Sequence, residues 1–124
     1  MPIEKEEKLS PIKISDDVIA ICAANATLKT VGVADLSSGF SDTLSKNLLG
    51  RDPMYTGIKV DQNDEGITIN VYVLVEYGTK IPEVAWDIQE NVRNAINEMT
   101  ELYVNAVHIH IQGVIATEEK DDKN

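Results

Sequence analysis

The stretch that decides the fold is Gly66–Val114, GITINVYVLVEYGTKIPEVAWDIQENVRNAINEMTELYVNAVHIHIQGV. Its first part alternates strictly. Ile67, Ile69, Val71, Val73 and Val75 share one face, and Thr68, Asn70, Tyr72, Leu74 and Glu76 share the other. Such alternation predicts a strand in a sheet with one covered and one open side, as antiparallel sheets commonly have. The period then changes. Ile81, Val84, Ala85, Ile88, Val92, Ala95, Ile96, Met99 and Leu102 fall in one helical stripe about 32 Å long at 1.5 Å per residue, with Thr79 as its expected N-cap and Pro82 and Glu83 in its first turn. The closing part alternates again, with Val107, Ile109 and Ile111 on the covered face and Ala106, His108, His110 and Gln112 opposite.

Upstream, Ser15 suits an N-cap, and Asp16 and Asp17 sit where the helix dipole favours negative charge. A helix is expected from there to about Lys29, with Val18, Ile19, Cys22, Ala23 and Ala26 on one face. Val31–Ser37 reads as a strand. Residues 38–56 are long for a turn, and Phe40, Leu44 and Leu48 recur as in a short helix. Gly57–Asp61 and the polar turn Gln62–Gly66 complete a hairpin with the long strand. The expected fold is α+β, a two-layer sandwich in the order α-β-(loop or short α)-β-β-α-β. Two helices cover one face of a mixed, mostly antiparallel four-stranded sheet. Residues 1–13 read as a tail, 14–115 as the single domain, and 116–124 as an acidic tail.

Composition narrows the function classes. With 21 acidic against 11 basic residues, the net charge is −10, which repels phosphate backbones and argues against nucleic-acid binding. One cysteine, Cys22, precludes an internal disulfide and fits a reducing compartment; at its position it reads as a small buried hydrophobe rather than a reactive thiol. No apolar run reaches the roughly 20 residues that span a bilayer, and the polar start carries no signal-peptide core. A cytoplasmic protein is expected. No phosphate-binding glycine loop, nucleophile elbow or zinc motif occurs, so no catalytic residue and no cofactor are assigned.

Three surface features remain. His108 and His110 both point to the open face, where they could hold a metal if a carboxylate such as Glu76 sat on the adjacent strand; the alternative is two solvent-facing or interface residues. Trp86 projects away from the helix stripe, with Glu90, Arg93 and Asn97 on the same outer surface. That is either the composition of an interaction hot spot or a patch covered by the Phe40–Leu48 segment. On the open sheet face, Tyr72 and Leu74 beside the histidines suit contact with a second copy or a partner, against the simpler reading of a solvated face.

The run Val75-Glu76-Tyr77-Gly78, then Ile81-Pro82-Glu83-Val84-Ala85 and Ile88-Gln89-Glu90-Asn91-Val92, resembles the alkaline shock protein family of Gram-positive bacteria. Ile14–Ala24, Val31-Gly32-Val33, Gly57-Ile58-Lys59-Val60 and Val104–Val114 resemble its opening helix, first strand, hairpin entry and closing strand. The resemblance covers about residues 14–115 and rests on the ordered combination rather than on one motif. It implies a non-enzymatic, cytoplasmic protein of stress response and cell-envelope homeostasis that works through protein–protein contacts. Some members self-associate, and some are held near the membrane by an anchor protein. Short members are often encoded beside a dihydroxyacetone-kinase-like fatty acid kinase, so an accessory or regulatory role for such a kinase is the alternative. A metal or small-molecule binding domain is the third reading.

Overall fold

The computed structural model describes residues 12–37 and 57–116. The tails and the possible short helix at Phe40–Leu48 lie outside the described residues. Helix α1 (Asp16–Leu28) is followed by β1 (Val33–Leu36), β2 (Ile58–Asn63), β3 (Gly66–Glu76), α2 (Ile81–Thr100) and β4 (Val104–Ile115). The element order and the α+β class are those expected from the sequence.

β3 is the centre of the sheet. β4 runs parallel along one of its edges, from Ile67 opposite Val104 to Glu76 opposite Ile115. Its other edge is shared end to end by two antiparallel strands. β2 pairs with Gly66–Val71 and β1 with Val73–Val75. They meet at Tyr72, whose carbonyl accepts from the Ser37 N–H at 2.8 Å and whose N–H donates to the Gly57 carbonyl at 2.8 Å. β1 and β2 thus share one edge of β3 end to end, meeting at Tyr72.

The covered face of β3 is fully dry: Ile67, Ile69, Val71, Val73 and Val75 are at most 2% exposed. Val84, Ile88, Val92 and Ile96, spaced every fourth residue on α2, are also buried and share their core. Each such side chain contributes about 1.5–3 kcal/mol on leaving water. α1 is apolar nearly all round, and its small side chains Ala20, Ala23 and Ala24 join the same core. The two helices touch closely, and Asn91 of α2 donates to Thr30 Oγ1 just after α1. Val18, expected on the packed face, is 42% exposed: the neighbouring positions Ile19, Ala20, Ala23, Ala24 and Thr27 form the buried side instead.

The local signals hold at most ends. Ser15 Oγ accepts from the Val18 N–H at 3.3 Å, as an N-cap should. Thr79 does not cap α2. Lys80 occupies that position with no side-chain bond, while Thr79 Oγ1 donates back to the Glu76 carbonyl at 2.8 Å. α2 stops at Thr100, where Glu101 turns left-handed, and Met99 is 67% exposed at the rim of the groove between α1 and α2. The hairpin turn is tighter than expected. Gln62 remains in β2, and its amide reaches back to the Ile14 carbonyl and Asp16 Oδ1, tying the start of α1 to the sheet.

The first strand begins two residues late because Gly32 adopts a φ of +99°. A Cβ there would lie 2.6 Å from Val84 Cγ2, so this glycine lets the α1–β1 turn press against α2. Gly78 shares the backbone conformation (φ +97°) but has nothing within 4 Å of an added Cβ. Gly78→Ala is therefore expected to cost about 1 kcal/mol from backbone strain alone. Gly32→Ala adds overpacking and should cost about 2–4 kcal/mol. Urea denaturation of the two variants checks the difference; equal losses would mean that the Val84 contact is immaterial.

Candidate interaction surfaces

At 100° per residue, the outer side of α2 at Trp86 lies about 140° from the middle of the buried stripe. Trp86 stands there 62% exposed, one turn into the helix. Glu90 and Arg93 are half-buried on the same side, and Asn97 is exposed. Arg93 and Asn97, with Asn94, Tyr103, Val104 and Asn105, line an open cleft of about 440 Å³ where α2 ends and β4 begins. The sequence-based grouping of Trp86, Glu90, Arg93 and Asn97 on one helix side is what the helix phase produces. The Phe40–Leu48 segment proposed as a cover lies outside the described residues.

The opposite surface of the molecule is the open sheet face. The parallel register sets Tyr72 beside His110 and Asn70 beside His108. Tyr72 and His110 stack, with ring centroids 4.4 Å apart and planes within 10°. His110 Nε2 lies 2.8 Å from Asn70 Oδ1, which holds the imidazole over the strand. Leu74 stands half-buried against Gly113: an added Cβ on that glycine would sit 3.1 Å from Leu74 Cδ2.

Glu76 does not join the histidines. It is opposite Ile115, four residues along β3 from Tyr72, roughly 13 Å away at 3.3 Å per residue. Among the described residues, no three His, Cys, Asp or Glu side chains converge as a metal site would require. Cys22 is buried at 6% exposure, and that burial raises its thiol pKa above the ordinary value. It forms part of the wall of an open groove of about 490 Å³ between α1 and α2, with Asn25, Lys29, Asn91 and Glu98 among the lining residues.

A third surface escaped the sequence reading. The Glu76 N–H donates to the Gly32 carbonyl and the Tyr77 N–H to the Ile115 carbonyl, which gathers the turn after α1, the end of β3 and the end of β4. Val31 (86% exposed), Tyr77 (66%) and Ile115 (40%) are all brought to this end. Val31 lies in the turn before β1, not in the strand expected from the sequence; the signal against a strand is Gly32 immediately after it.

Residues 4–116 match the alkaline shock protein 23 family, which is described by a cell envelope-related function. This chain belongs to that family. It is 37% identical over 119 residues to the uncharacterized protein YloU of Bacillus subtilis, covering 94% of this chain and 98% of YloU. It is 36% identical over 110 residues to the uncharacterized protein YqhY of the same organism, covering 89% and 81%. Among solved structures, the MamM CTD superposes with a TM-score of 0.49 at 11% identity, over 80% of this chain and 99% of that one. Among the described residues of this alkaline shock family member, no helix is long and apolar enough to cross a membrane.

The Tyr72–His110 stack is a testable unit. A double-mutant cycle with Tyr72→Ala and His110→Ala in urea should return a coupling of about 0.5–1.5 kcal/mol. The same cycle pairing Tyr72 with exposed His108 should return none; coupling of equal size would show that the stack is not specific.

Proposed function

We propose that this alkaline shock family member is a non-enzymatic interaction protein of the cell envelope, working through self-association and a protein partner. The observation that supports it most is Trp86. A 62% exposed tryptophan on a rigid helix, two turns from an arginine that borders a cleft, offers a large apolar contact with a bidentate donor beside it. Such residues carry binding energy out of proportion to their number. The buried layers give no competing site: both helices spend their inner faces on packing, and no buried side-chain nitrogen or oxygen among the described residues lacks a partner. The partner is a protein, and recruitment to the membrane surface goes through it.

The test is retention of an envelope protein, identified by mass spectrometry, on immobilised wild-type chain and on the Trp86→Ala/Arg93→Ala variant. Both side chains are outside the core, so the variant should unfold within a few tenths of a kcal/mol of wild type. Retention should fall at least tenfold, the equivalent of about 1.4 kcal/mol. Undiminished retention by a folded double variant would remove the outer face of α2 from this role.

A further inference from the structure

β4 is an outer strand of 12 residues that, among the described residues, pairs with β3 alone. Edge strands of this length are usually blunted by lysine, proline or a covering element, because an unpaired row of N–H and C=O groups recruits another strand. β4 has neither lysine nor proline, and its register shifts lie at the two ends, leaving Ala106–Ile111 regular. Residues 103–116, YVNAVHIHIQGVIA, contain no Asp, Glu, Lys, Arg or Pro, in a chain of net charge −10.

The direction of each backbone group follows from the ladder. The Ile67 N–H donates to Tyr103 at 3.0 Å and the Tyr77 N–H to Ile115 at 2.8 Å, while Tyr72, of opposite parity, bonds to Ser37 and Gly57. The odd-numbered residues of β3 thus face β4. In a parallel pair each such residue bonds to the two neighbours of its partner. Val107, Ile109 and Ile111 are the partners of Ile69, Val71 and Val73, so their own N–H and C=O groups point outward. The Val107 carbonyl is taken by Gln89 Nε2 at 3.0 Å. Ile109 and Ile111 remain, with no partner among the described residues.

We infer that β4 pairs antiparallel with β4 of a second copy, about a two-fold axis at His110. In that register Ile109 of each copy exchanges both backbone hydrogen bonds with Ile111 of the other, and His110 faces His110. Two observations select a second copy over a foreign strand. The two outward residues lie symmetrically about His110, so the free groups are self-complementary under a two-fold, as an isologous contact requires. Two chains of charge −10 also repel unless they meet on an uncharged element, and β4 is that element. Pairing brings four half-buried isoleucines together at the rim of the cores and makes one continuous sheet. The inference rests on the self-association reading but uses a surface separate from Trp86.

The experiment is sedimentation of the full-length chain with three variants. Wild type is expected at the mass of a dimer or a multiple of it. Ile109→Pro removes an outward N–H that β3 does not use, so the internal ladder tolerates it and the mass should halve with an unchanged circular dichroism spectrum. His110→Cys in a Cys22→Ser background should form a covalent dimer on mild oxidation, and His108→Cys in that background should not. Should Ile109→Pro fail to fold, the cysteine pair decides alone. A monomeric wild type, a folded Ile109→Pro that keeps its mass, equal crosslinking at the two histidine positions, or pairing of β4 only with another protein would each overturn the inference. Trp86→Ala/Arg93→Ala should retain the dimer mass, which separates failure of this edge from failure of the partner surface.

Discussion

Everything in this molecule depends on β3 having one side with no exposure to water. Five β-branched residues in perfect alternation fix which face is inside, because a shift of one residue would expose all of them and bury Asn70 and Glu76. With that face fixed, α2 must lie across it, since its own apolar stripe has no other surface to cover. The crossover from β3 through α2 then sets β4 down parallel to β3. The position of both histidines follows from this one constraint, as does the outward direction of Trp86.

Much of this was legible because periods of 2 and 3.6 residues are local properties of a chain. β3 and α2 carry them over ten residues or more and β4 over the seven from Ala106 to Gln112, and these elements stand where the periods place them. The errors fell where a local pattern competes with a tertiary contact. Thr79 looks like a cap, yet its hydroxyl satisfies the Glu76 carbonyl at the strand end. Met99 continues the stripe, but it borders the open groove between α1 and α2. Val18 and Val31 are apolar residues beside true core positions, and only the packing of α1 and the left-handed Gly32 decide that they face water. The histidine–carboxylate grouping failed for a related reason. A shared face is visible in sequence, but the register that puts Glu76 opposite Ile115 is not.

The way the sheet is edged bears on how such a protein works. One side of β3 is shared by two strands, with Gly57 against Leu36 and Ser37; an added Cβ on Gly57 would lie 3.0 Å from each. That edge is interrupted and carries Asp35, Lys59 and Asp61, charges that discourage another strand. The other edge is uncharged, and its ladder is regular from Ala106 to Ile111 between two register shifts. Among the described residues the two edges therefore differ, and pairing through β4, as inferred above, would join two copies.

The division of labour between surfaces is therefore built into the layer arrangement. A two-layer fold with helices on one side has an outer helix surface and an open sheet face that point in opposite directions. A sheet-edge contact leaves both accessible. Two copies joined edge to edge would present two Trp86 side chains on the helix side and two Tyr72–His110 stacks on the other. A bivalent surface of that kind binds an arrayed partner far more tightly than one copy does, because the second contact forms at high effective concentration. If Trp86 contacts a partner as proposed, weak affinity at each copy would still allow firm attachment to a partner displayed in many copies.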